Sequence, residues 1–189
     1  MRLRINNEKA LSTVVTTLII LVVSVLLAGV VTMYAINITS TRTQQEDLRI
    51  SKQKVWVYSS GDADAYAAFV IDNVGGRDVI LDKIQVRGVE SSWTNVYYLR
   101  LSSTFTTTLN APSATGHSWT NFAYTGTTQG NFTAASSDLA LASGDTMVIY
   151  VKNPDSIALS DIGTTVGITV FTENSQYYVE CNVETADTA

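Results

Sequence analysis

The 189-residue chain carries twelve basic and seventeen acidic residues, for a formal net charge of −5 and a pI near 4.7. The basic residues are scattered and form no patch, which excludes nucleic acid as a partner. One cysteine, Cys181, excludes an internal disulfide and a Cys-based zinc site, and one histidine, His117, argues against a His-ligated metal centre or a Ser-His-Asp triad.

In chain order, residues 1–10 (MRLRINNEKA) form a short polar leader with Arg2, Arg4 and Lys9. Residues 11–36 follow as an apolar run with no charged side chain and a single glycine, Gly29. As a helix this run is roughly 39 Å long, enough to cross a bilayer with some tilt. Its Ser and Thr hydroxyls are expected to bond back to the helix backbone. Val14, Val15, Leu18, Leu21, Val22, Val25 and Leu26 form apolar ridges on adjoining faces, and the remaining faces are apolar too. Such a helix belongs in lipid or in the centre of a bundle. Positive charge ahead of it holds the N-terminus in the cytoplasm and places the rest of the chain outside. The run is too long for a secretory signal of the ordinary kind, whose apolar region spans about 7–15 residues.

The leader ending in Lys9-Ala10, directly before Leu11-Ser12-Thr13-Val14-Val15 and the long apolar helix, resembles a class III signal peptide. This is the leader of archaeal type IV pilins and archaellins. The resemblance implies cleavage by a prepilin peptidase between Ala10 and Leu11, with Lys9-Ala10 as the recognition pair. It further implies withdrawal of the helix from the membrane and burial of Val14, Val15, Leu18, Leu21, Val22, Val25 and Leu26 in a homo-oligomeric helical filament. Bacterial type IV pilins carry Glu at the fifth mature position, where this chain has Val15, so the resemblance is to the archaeal members. The expected product is a surface filament for adhesion or motility, membrane-bound as a precursor and then extracellular, touching a surface layer or host. The alternative is an envelope β-sandwich binding protein that keeps its membrane anchor, such as an archaellum stator-type component. Neither implies an enzyme or a cofactor.

Residues 37–54 are polar with good helix formers, and the helix is expected to continue to about Ile50. Asn37-Ile38-Thr39 and Asn131-Phe132-Thr133 are glycosylation sequons, both outside the membrane in this topology. From Val55 the hydrophobic period becomes strand-like. Strands are predicted over residues 55–58, 66–72, 79–87, 93–101, 146–152, 167–172 and 177–183, with residues 139–145 leading into the one at 146–152, and turns at 59–64, 73–78, 153–155 and 173–176. The alternation over 79–87 slips once near Asp82, which suggests a bulge. Residues 102–137 read as one or two short strands and long loops, the kind of segment that carries contacts. The predicted fold is α+β: leader 1–10, a transmembrane or filament-core helix with its extension over 11–52, and an antiparallel β-sandwich (Ig-like) head over 53–189.

Asp62 and Asp64, with Asp72 and Asp78 not far along, are candidate oxygen donors to calcium, but they do not match the EF-hand pattern, and turn-forming is their ordinary role. Gly75-Gly76 lacks the frame of a phosphate loop. Cys181 is expected to face the core and His117 to be exposed. Trp93, Tyr97, Tyr98, Trp119 and Tyr124 are divided between core packing and a contact surface.

Overall fold

A computed structural model describes residues 7–59, 65–114 and 117–186. The chain divides into two compact units, Met1–Thr43 and Gln44–Ala189. The first is one helix, α1 (Asn7–Thr43). Its apolar part, Leu11–Thr41, is 31 residues long and fully exposed within the chain. Thr16 and Thr32 donate their hydroxyls to the carbonyls of Ser12 and Ala28 at 2.8 and 2.7 Å, and Ser24 does the same to Ile20. These bonds remove the polar cost of hydroxyls on an apolar helix, as the sequence suggested.

The second unit holds ten strands: β1 (Leu48–Val57), β2 (Tyr66–Asn73), β3 (Val79–Val86), β4 (Val89–Glu90), β5 (Val96–Leu101), β6 (Thr133–Ala134), β7 (Leu139–Leu141), β8 (Thr146–Lys152), β9 (Thr165–Thr172) and β10 (Gln176–Thr185). They join in one sheet of order β4-β3-β9-β10-β1-β2-β8-β5-β6, with β7 paired to β3. An N-terminal apolar helix followed by a strand domain is therefore the architecture.

Two expectations are corrected. The helix ends at Thr43 and does not reach Ile50, so the boundary placed at 52/53 falls inside β1. The reason is local. Leu48 and Ile50 are apolar at a spacing of two, and they pair with Asn73 and Ile71 of β2. The turn after β2 also captures the incoming chain: Val74 and Gly75 donate their N–H groups to the Asp47 carbonyl at 3.0 Å, and Gly76 donates to Gln45 at 3.2 Å. The sheet is also not wholly antiparallel. β1 runs parallel to β10, with Val55, Trp56 and Val57 beside Val183, Glu184 and Thr185.

That parallel pair joins two wings. β2 and β8 lie at the centre of one wing and are buried on both faces, so they read as unbroken apolar runs. Phe69, Ile71, Met147 and Ile149 point to one side, where Leu81, Ile84, Ile168 and Val170 of the other wing meet them in a shared core. Ala68, Val70, Val148 and Tyr150 point to the opposite side, into a second cluster. The slip near Asp82 is a bulge: the β3–β9 register shifts between Leu81 and Lys83, which keeps Leu81 and Ile84 both inside.

Candidate functional site

The second cluster is built from strand residues below and loop residues above. Lys54, Trp56 and Tyr58 alternate with Val55 and Val57 along β1, so Trp56 and Tyr58 face away from the shared core. Residues 105–114 and 117–132 fold back over this face. Leu109, Phe122, Tyr124 and Phe132 are buried there against Tyr66 and Tyr150. The segment is held by its own bonds: Phe122 and Gly130 exchange N–H···O bonds at 2.9 Å, Phe132 donates to the Trp119 carbonyl at 2.9 Å, and Asn110 donates to the Tyr124 carbonyl at 2.9 Å. It is tied to the strands by the Tyr150 hydroxyl, which donates to the Asn110 carbonyl at 2.9 Å, and by the Tyr58 hydroxyl, which donates to Pro112. The cover approaches the sheet closely at Gly130, where a Cβ would lie 2.6 Å from a terminal methyl of Leu99 and 3.0 Å from the Tyr124 ring.

Between this cover and the ends of β1 and β10 lies an open groove of about 940 Å³. Its walls carry Thr108, Asn110, Ser113, Ser118, Thr120 and Asn121 from the loop, with Trp56 and Phe122 at its base. Lys54 and Glu184 close one side and pair at 2.8 Å, so the groove's two opposite charges neutralise each other.

His117 also lines the groove, and it is half-buried rather than exposed, which corrects the expectation. Its Nδ1 accepts the Ser113 N–H at 3.1 Å, so the neutral imidazole carries its proton on Nε2. That Nε2 is buried without a hydrogen-bond partner among the described residues. The rings of Trp119 and Phe122 meet the imidazole nearly edge-on at 4.6 and 4.5 Å. Burial lowers the imidazole pKa below its ordinary 6.5, and the Lys152 ammonium lowers it further. Sequence reasoning singled out His117 but not its surroundings, because the rings that enclose it come from both the strands and the loop.

The other predicted positions are spread through the two units. Lys9, Ala10 and Leu11 lie in the first turns of α1, with Leu11 exposed. Val14, Val15, Leu18, Leu21, Val22, Val25 and Leu26 are exposed along the same helix. Asn37 is exposed on α1, and Asn131 is exposed with its Oδ1 accepting the Asn121 N–H at 2.8 Å. Asp62 and Asp64 lie outside the described residues. Asp72 accepts the Thr146 hydroxyl at 2.6 Å and Asp78 accepts the Ser143 N–H at 2.9 Å, so both serve turns and strand ends. Among the described residues no three His, Cys, Asp or Glu side chains gather as a metal site. Of the five aromatics divided between core and surface, Tyr124 is buried, and Trp93, Tyr97, Tyr98 and Trp119 are partly buried against one of the two clusters. Cys181 is half-buried at the margin of the shared core, where burial and the Glu184 carboxylate push its thiol up to about 11.

No family model matches the chain, and no curated protein matches it. Two solved structures that it resembles are PCuAC domains of PmoF2. The apo form has a TM-score of 0.43 and 12% identity, covering 76% of this chain and 98% of that one. The copper-bound form has a TM-score of 0.34 and 13% identity, covering 75% of this chain and 99% of that one. These structures are PCuAC domains and not pilins or archaellins, which corrects the expectation of a filament subunit. The partners that went with it, a homo-oligomeric filament and a prepilin peptidase, are corrected on the same finding, as are its pilus and adhesion descriptors. Within the strand domain, Met147 is enclosed in the shared core, Cys181 lies at the margin of that core and His117 sits in the opposite cluster.

Proposed function

We propose that this chain is a membrane-tethered binding protein: α1 is its anchor, the strand domain stands outside the membrane, and the groove above β1 is its ligand site. The observation that carries the tether is the 31-residue apolar span, exposed along its whole length within the chain. Exposed apolar surface costs about 25 cal/mol per Å², so a helix of this kind demands a non-aqueous surrounding. The basic Arg2, Arg4 and Lys9 ahead of the span favour a cytoplasmic N-terminus and an outer strand domain. The groove supports the binding reading because it is concave, close to the upper end of the roughly 300–1,000 Å³ range of ligand sites, and combines an aromatic base with convergent polar groups.

We read the strand domain more finely as a β-sandwich whose two wings are closed along one side by the parallel β1–β10 pair. The shared core, drawn from alternate residues of both wings, supports this.

The test is fractionation of cells expressing the full chain. The protein is expected in the membrane fraction, resistant to alkaline carbonate, with the strand domain cleaved by protease added to intact spheroplasts. A variant lacking residues 11–36 is expected in the soluble fraction. A full chain released by carbonate, or a strand domain protected from external protease, overturns the tethered reading.

A further inference from the structure

Resting on the reading of the groove as a binding site, we infer that its ligand is a neutral, polyhydroxylated molecule, an oligosaccharide in chemical class. The groove offers amide and hydroxyl groups, which donate and accept equally well. A sugar hydroxyl does both and is matched by such groups, whereas a carboxylate or phosphate only accepts and is matched by cations. Lys54, the one basic side chain in the groove wall, is already held by both carboxylate oxygens of Glu184 at 2.8 Å. An anionic ligand would therefore have to break that pair or face Glu184 unshielded.

The polar groups are also available. The Asn121 side-chain amide and the Thr108 and Thr120 hydroxyls make no hydrogen bond to the described residues and open to the groove. Asn121 has a φ of +55°, in the left-handed region that asparagine enters more readily than most residues, and its N–H is fixed by the Asn131 Oδ1, which accepts it at 2.8 Å.

The test uses the full chain in detergent micelles, titrated with maltohexaose, cellohexaose and chitohexaose as neutral probes and hexagalacturonate as an anionic one. Tryptophan fluorescence and calorimetry are the readouts. At least one neutral probe is expected to bind and the anionic one not to. Asn121→Gly, which suits the backbone and removes only the amide, is expected to weaken the neutral probe about tenfold or more. Thr120→Val is expected to weaken it severalfold. Preference for hexagalacturonate, binding that Asn121→Gly and Thr120→Val leave unchanged, or no binding by any of the three neutral probes overturns the inference. A fragment screen by amide NMR separates this from failure of the binding reading. Shifts at residues 108–123 with non-sugar fragments leave the groove as a site and remove only the ligand class, and no shifts there remove both.

Discussion

Trp119 stacks on Tyr97, with ring centroids 4.1 Å apart and planes 12° from parallel. One ring belongs to the loop cover and the other to β5, so this pair fastens the cover onto the sheet. Trp119 also meets Tyr66, Phe122, Phe132 and Tyr150 at 5.6–6.1 Å, which makes it the hub of the cluster. Trp119→Ala is expected to destabilise the strand domain by about 3 kcal/mol, the usual loss for a large aromatic truncated in a packed cluster. Urea denaturation in micelles measures the loss. Limited proteolysis is expected to cut first within residues 102–137 of the variant.

His117 confers a pH dependence whose sign follows from its environment. Its folded pKa is lowered by burial and by Lys152, while in the unfolded chain it sits near 6.5. Below 6.5 the unfolded chain therefore binds a proton that the folded chain resists. Stability from this group is full above 6.5 and is lost as pH falls through the folded pKa. Carboxylates titrate in the same range, so the comparison is between variants. The fall in urea midpoint from pH 7.5 to pH 5 is expected to be smaller in His117→Phe than in the parent, and NMR titration of the imidazole is expected to give a pKa below 6.5.

Two glycines with equally crowded surroundings are expected to respond differently to substitution. A Cβ on Gly75 would lie 2.6 Å from the Asp47 nitrogen and 2.7 Å from the Gln45 oxygen, both backbone atoms, and the Gln45 oxygen accepts the Gly76 N–H of the same turn. A Cβ on Gly167 would lie 2.3 Å from the Tyr178 ring, which is the far end of an exposed side chain. Gly75→Ala is expected to cost about 2 kcal/mol or more, because the clash cannot be relieved without moving the chain entering β1. Gly167→Ala is expected to cost less than about 1 kcal/mol, since Tyr178 swings aside and gives up only its exposed 2.8 Å bond to Glu180. Denaturation midpoints of the two variants check the contrast.

Cys181 is expected to be a slow thiol. With its pKa pushed up to about 11, little thiolate is present at neutral pH. Alkylation by iodoacetamide at pH 8 is expected to run about a hundredfold slower than for a free cysteine. The rate should rise steeply toward pH 11 and return to the ordinary value in denaturant.

How much of this was legible in the chain varies by element. Residues 66–73 and 146–152 announced their strands as apolar runs, and residues 79–87 announced even their bulge, because a period of two with one slip has a single geometric solution. The strand over residues 48–57 was missed in its first half. Arg49, Ser51, Lys52 and Gln53 are polar and suit a helix as well as an edge strand, and what decided the matter was a turn at residues 73–76, more than twenty residues away. The groove was not legible at all. His117 was visible as a lone histidine, yet its half-burial depends on Tyr66 from β2 and on Trp119 and Phe122 from the loop.

The sequence by itself determined that one long helix is apolar all round and that strands of alternating or unbroken apolar pattern follow it. Those facts are written in local periodicity, which needs no partner to be read. The tertiary structure alone decided that β1 lies parallel to β10, that residues 105–114 and 117–132 cover one face of the sheet, and that a neutral polar groove opens between them. Each of these joins residues far apart in the chain, where pairing is set by which faces remain to be buried once the local elements have formed.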